Sequence, residues 1–268
     1  MKIRKLITQA VVLTSALFFI LSGCFNVKIP SKIIRTTNNT VIKKDNSYFP
    51  IESFVITKQE FIFSLECDAD QKEQGCISGV IGSQSSMGSG FILETSIDDE
   101  EYILTAGHIC MPPQVPALPP NILENMKLAY RIDFVTGFGR EATGQIIAID
   151  TNNDLCLLKS TKELGPGLSI AKKDVMLHSK VYNMANPAGL ASSLAVPVFD
   201  GYYLGDISMI SLYSIPAVGG SSGSPIMNHK NEVISIVSAA AIRFDEYAIG
   251  PKTQSIREFL LAHLPEDS

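Results

Sequence analysis

From about residue 55 onward, short apolar runs alternate with glycine, proline, asparagine, aspartate and serine, and this punctuation constrains the fold more than any other feature. Runs suited to strands occupy residues 61–66, 77–81, 90–93, 102–105, 128–134, 144–149 and 155–159. A second group follows at 180–184, 194–204, 209–213, 233–240 and 247–249. Nineteen glycines and fourteen prolines supply the turns that so many strands need. One helix is expected late, over residues 254–263, where Ile256, Phe259, Leu260 and Leu264 fall on one face. The expectation is an all-β chain of two strand-rich halves, closed by a C-terminal α-helix.

The first residues stand apart. Lys2, Arg4 and Lys5 form a positive start, and an apolar run over residues 10–21 follows. That run is short for a membrane span and the right size for the core of an export signal. It ends in Leu21-Ser22-Gly23-Cys24, which resembles the lipobox of bacterial lipoproteins. The resemblance implies a signal peptide over residues 1–23, cleavage before Cys24 and lipid on its sulfur, hence attachment to a membrane of a bacterial cell envelope. Residues 24–55 then comprise the lipidated cysteine and a polar, flexible tether. The folded domain is expected over 56–268, its first half to about residue 165. With 18% charged and 46% hydrophobic residues the chain is globular rather than disordered. A formal charge of -5 provides no basic footprint, so nucleic acid is not an expected partner.

Three local patterns carry chemistry. Tyr102-Ile103-Leu104-Thr105-Ala106-Gly107-His108 is an apolar strand that delivers a histidine at its end. Asp150-Thr151-Asn152-Asn153-Asp154-Leu155-Cys156-Leu157-Leu158 places an aspartate at the mouth of a buried strand. Gly219-Gly220-Ser221-Ser222-Gly223-Ser224-Pro225 is a glycine-rich turn holding serines. A hydroxyl is a weak nucleophile until a base takes its proton, and imidazole is the side chain poised near neutral pH to do so. A carboxylate on the far ring nitrogen fixes the tautomer and stabilises the imidazolium as it forms.

With these residues in the order His, Asp, Ser, the chain resembles the chymotrypsin-like (trypsin-fold) serine peptidases, particularly bacterial HtrA-type enzymes. Thr105-Ala106-Gly107-His108, Asp154-Leu155-Cys156-Leu157-Leu158 and Gly220-Ser221-Ser222-Gly223-Ser224-Pro225 match the family's three motifs. Gly88-Ser89-Gly90-Phe91, Asn186-Pro187-Ala188-Gly189 and Ile236-Val237-Ser238 are smaller echoes. The resemblance implies two six-stranded antiparallel β-barrels and a catalytic triad of His108, Asp154 and Ser222. It also implies an oxyanion hole from the backbone amides of Gly220 and Ser222. Pro216, Ala217, Ser238, Ala239 and Ala240 would bind substrate, in a pocket without charge that suits small or medium aliphatic residues. The activity implied is that of a serine endopeptidase on proteins or peptides, with no metal or organic cofactor.

Ser221 stands where many relatives carry an aspartate that pairs with a newly cut N-terminus, so activation by N-terminal insertion is not expected. No PDZ-like region is recognisable after the helix, and a monomeric single peptidase domain is expected. Cys67 and Cys76 flank a hydrophilic stretch between two strand-like runs, and a disulfide between them is expected. Cys110 and Cys156, each two residues after a triad member, read as unpaired core thiols. His178, His229 and His263 read as surface residues. A competing reading is an inert lipoprotein that uses the same fold as a binding module, and a weaker one is an esterase.

Overall fold

The computed structural model describes residues 49–67, 78–95, 100–112, 125–241 and 244–265. The expected signal peptide, Cys24, the expected tether up to residue 48 and Cys76 lie outside the described residues. Packing begins earlier than the sequence suggests. Phe49 meets Tyr182 edge to face at 5.5 Å, and Ile51–Ser53 forms a 3-10 turn. The first strand, β1, runs Phe54–Leu65, with Phe54 and Val55 wholly buried. Residues 49–55, which the sequence assigns to the end of a tether, thus belong to the packed domain.

Five more strands complete the first half: β2 (Gly79–Ile92), β3 (Tyr102–Ala106), β4 (Met126–Thr136), β5 (Glu141–Asp150) and β6 (Leu155–Ser160). They close an antiparallel barrel in the order β1-β2-β3-β6-β5-β4. The runs expected at 77–81 and 90–93 belong to one long β2. Its polar middle, Ser83-Gln84-Ser85-Ser86, is exposed and is held by the ladder to β1 rather than by burial. β3 and β6 are buried on both faces, which is why they read as unbroken apolar runs. Ile103 and Leu158 face the barrel interior with Val55, Ile92, Ile132 and Phe134. Leu104, Leu155 and Leu157 face a second core that also takes Met184, Met227, Val233 and Ile236 from the other half.

A four-residue helix, α1 (Gly107–Cys110), follows β3. It corrects the reading of two cysteines: Cys110 and Cys156 are joined by a disulfide with a Cα–Cα distance of 6.4 Å. The β3–β6 register sets Thr105 opposite Cys156. One turn of helix then folds Cys110 over the same barrel interior, where the two sulfurs meet among apolar side chains. Cys67 is also disulfide-bonded.

The second half holds β7 (Lys180–Met184), β8 (Val198–Ile207), β9 (Ile210–Tyr213), β10 (Pro225–Met227), β11 (Val233–Ile236), β12 (Ala239–Ala241) and β13 (Phe244–Pro251). In place of the expected six-stranded barrel it is a seven-stranded sheet ordered β11-β10-β7-β8-β9-β13-β12. The extra strand comes from the run at 233–240, which breaks at Val237 and Ser238. Its two pieces stand at opposite ends of the sheet order yet are consecutive in the chain, so the sheet curls until its ends meet. Tyr213, Ile215, Ala217, Ile226, Ile234, Val237 and Ala248 fill its interior. The closing helix, α2 (Thr253–His263), buries Ile256, Phe259 and Leu260 in the core shared by both halves.

Candidate active site

Antiparallel pairing of β3 with β6 decides where two of the expected site residues meet. Ala106 lies opposite Leu155, so the residues just after β3 and just before β6 are neighbours. The Gly107 amide donates to the Asp154 carbonyl at 2.9 Å, and the His108 amide to Asp154 Oδ1 at 2.8 Å. His108 Nδ1 then sits 2.9 Å from Asp154 Oδ2 and 3.1 Å from Oδ1. A carboxylate can only accept there, so Nδ1 carries the proton and Nε2 is left with a free lone pair. The His108 side chain is 42% exposed, so the imidazole is open to solvent.

Asp154 has φ of +53°, a left-handed conformation that aspartate tolerates better than most residues. The turn before it is built by Asp150, which sequence reasoning missed. Asp150 Oδ1 accepts from the amides of Asn152 at 2.9 Å and Asn153 at 3.2 Å, and Oδ2 from Asn153 Nδ2 at 2.7 Å. Burial pushes the Asp150 carboxyl up, but those hydrogen bonds, helped by His263, outweigh it and hold it below the ordinary range. The aspartate and two asparagines at close spacing were the available signal.

The serine turn hangs between β9 and β10. Ser221 and Ser224 are wholly buried, and Ser224 Oγ accepts from Asn183 Nδ2 at 2.8 Å. Ser222 between them is the half-buried one. The chain crosses to the barrel here, because the Ser89 amide donates to the Ser222 carbonyl at 2.8 Å. One face of Gly88 is crowded by that carbonyl and by the side chain of Ile109, the neighbour of His108. Gly223, with φ of +84°, packs so closely on Ser89 and Ala106 that a Cβ would overlap both. Gly220, with φ of +93°, lies as tightly on the Asn186 carbonyl.

The amides of this turn divide into two sets. Those of Ser221, Gly223 and Ser224 donate to the carbonyls of Val218, Val237 and Ser221. Those of Gly219, Gly220 and Ser222 have no acceptor among the described residues. The Gly219 carbonyl accepts from the Ala188 amide at 2.7 Å, and in a planar trans peptide the Gly220 N–H must then point the opposite way. The free Gly220 and Ser222 amides, on either side of the bonded Ser221 amide, are donors of the kind that can receive an oxyanion.

The expected substrate residues fall into place unevenly. Ala217 and Ala240 contribute to one apolar cluster with Val237, whereas Pro216 and Ala239 are exposed. The Ser238 amide donates to the Ile249 carbonyl at 2.8 Å, and its buried hydroxyl has no partner among the described residues. β12 pairs with β13 and ends the sheet order, leaving its other edge without a strand partner among the described residues. His178, His229 and His263 are exposed.

A sequence-family model described as the trypsin-like peptidase domain matches residues 88–236, more than half the chain. The fold is similar to that of a serine endoprotease from Yersinia pestis, with a TM-score of 0.54 and 16% identity, over 79% of this chain and 62% of that one. It is likewise similar to the Rv3671c protease from M. tuberculosis in its active form, with a TM-score of 0.55 and 14% identity, over 81% of this chain and 83% of that one. At such identities the likeness is one of fold, and the chain spans less than two thirds of the Yersinia protein. No curated protein sequence matches the chain.

Proposed function

The chain belongs to the trypsin-like peptidase domain family, and on that premise we propose that it is a serine endopeptidase with His108, Asp154 and Ser222 as its triad. The observation that carries the proposal is the His108–Asp154 pair, open to solvent and bonded through Nδ1 at 2.9 Å. In the reaction, Ser222 Oγ attacks the peptide carbonyl and His108 Nε2 takes its proton. The carbonyl oxygen becomes an anion held by the Gly220 and Ser222 amides, and Asp154 stabilises the imidazolium. Collapse expels the amine, which leaves with the proton from His108, and an ester to Ser222 remains. Water then attacks with His108 as base, and the acid product and free Ser222 are released.

The free edge of β12 suits addition of an extended substrate as a further strand. Pro216, Ala217, Ser238, Ala239 and Ala240 would line the pocket for the residue before the cut bond. None is charged, so a substrate Lys or Arg would lose hydration without gaining a partner. Cleavage after Ala, Val or Leu is expected from a positional-scanning peptide library. A dominant preference for Lys or Arg would overturn this pocket and point to Asp245 or Glu246.

A fluorophosphonate probe followed by peptide mapping tests the chemistry. The expected result is one adduct, on Ser222, lost in Ser222→Ala; no adduct, or one on Ser221 or Ser224, overturns the assignment. Lipid on Cys24 would hold the enzyme at the envelope. Fatty-acid labelling should mark the wild type and spare Cys24→Ser, and equal labelling of both defeats the anchor.

A further inference from the structure

Ser89 lies in β2, wholly buried, one strand away from the histidine, and its every polar group is turned toward the serine turn or its supports. Its amide donates to the Ser222 carbonyl at 2.8 Å. Its hydroxyl donates to the Gly220 carbonyl at 2.8 Å and accepts from the Asn186 amide at 2.9 Å. Its carbonyl accepts from Thr105 Oγ1 at 2.7 Å.

Set against the peptides of the turn, these bonds interleave. The Gly219 carbonyl is held by the Ala188 amide and the Ser221 carbonyl by the Ser224 amide. These are the peptides whose N–H groups, on Gly220 and Ser222, stay free. The two alternate peptides have their carbonyls, on Gly220 and Ser222, held by Ser89. Gly219 and Gly220 have no side chains to resist rotation, so hydrogen bonds alone keep their peptides oriented. The Ser89 hydroxyl also ties Asn186, two residues before Ala188, to the same point. A single oxygen from the barrel thereby joins both segments that aim the Gly220 amide.

We propose that Ser89 is a positioning residue, whose hydroxyl holds the Gly220 amide in the orientation that receives the oxyanion while its backbone amide holds the Ser222 carbonyl. The inference rests on the serine peptidase reading. Ser89→Ala leaves the Gly220 carbonyl and the Asn186 amide without their partner, freeing the glycine pair to turn. Direct removal of an oxyanion donor lowers kcat about 100-fold or more, so loosening the Gly220 donor through its support should lower it roughly 10- to 100-fold. KM should hold, because the ground-state carbonyl makes little use of those donors.

The test compares wild type, Ser89→Ala and Ser89→Cys, whose thiol fills similar space but donates weakly. The readouts are the rate of fluorophosphonate labelling at Ser222, kcat and KM on a fluorogenic peptide ending in alanine or valine, and affinity for the matching peptidyl boronate. Labelling, kcat and boronate affinity should all fall in the order wild type, Cys, Ala, with KM unchanged. Wild-type rates in Ser89→Ala, or a loss confined to KM, overturn the proposal. Full activity in Ser89→Cys overturns it too, and this variant decides the matter if Ser89→Ala does not fold. A wild type that takes no label at all defeats the peptidase reading instead.

Discussion

Asp150 touches no reacting atom, yet it sets where Asp154 stands. Its carboxylate gathers the amides of Asn152 and Asn153 and so shapes the turn that forces Asp154 to φ of +53°. The fold favours its ionised form, since hydrogen bonding lowers its affinity for a proton despite burial. A carboxyl depressed in this way adds stability that is complete above the ordinary Asp value, near pH 4, and is lost as pH falls through the lowered folded value. Urea midpoints of wild type and Asp150→Asn should therefore differ at neutral pH and converge on acidification; a gap that stays constant to acid pH would show that ionisation plays no part. The serines offer a second contrast. Ser222→Ala should cut turnover roughly 10³-fold or more with the melting temperature unchanged. Ser221→Ala, at a wholly buried position, should shift the melting temperature and keep the chemistry. The reverse pattern would move the nucleophile. Sequence alone ordered the three serines only by motif, because burial of Ser221 and Ser224 arises from contacts with distant strands.

Among the elements, α1 has only four residues and is tied down at both ends. The Gly107 and His108 amides bind Asp154 at one end, and Cys110 is bonded to Cys156 at the other. The disulfide closes a loop of 46 residues, for which the chain-entropy account gives about 4 kcal/mol. Cys110→Ala with Cys156→Ala should lower stability by about that amount, measured by denaturant unfolding, while the backbone ties keep His108 on Asp154 and turnover close to wild type. Turnover abolished at a temperature where the variant is folded would show that the disulfide, not the amides, seats the histidine. This pairing was not legible locally: each cysteine sits in an apolar run, as a core thiol would, and only the β3–β6 register brings them together. The same limit explains the other misreadings. Strands buried on both faces, such as β3 and β6, declare themselves by composition. The exposed middle of β2 and the break at Val237 and Ser238 depend on partners far along the chain. The neighbourhood of His108 and Asp154 was legible because each lies at the end of a strand that composition already marks, β3 and β6.

At the scale of the molecule, the proposed site draws on two halves, His108 and Asp154 coming from the barrel and Ser222 from the turn between β9 and β10. What holds the halves in register is the core between them, and α2 is its outer wall. Ile256, Phe259 and Leu260 share one cluster with Leu155 and Leu157 of β6 and with Val233 and Ile236 of β11. The helix thus presses on β6, which begins just after Asp154, and on β11, which pairs with the strand that follows the serine turn. Phe259 is 6% exposed and is the largest of the three helix side chains. Truncating a buried phenylalanine costs about 3–5 kcal/mol. At roughly 2–4 °C per kcal/mol for a domain of this size, Phe259→Ala should lower the melting temperature by roughly 6–20 °C. Because the loss falls on the seam between the halves, labelling of Ser222 by the fluorophosphonate should slow below the melting transition, as His108 and Ser222 lose register. Leu261→Ala, on the exposed face of the same helix, should change neither quantity. If Phe259→Ala melts lower but labels at the wild-type rate until it unfolds, α2 stabilises the domain without aligning its site.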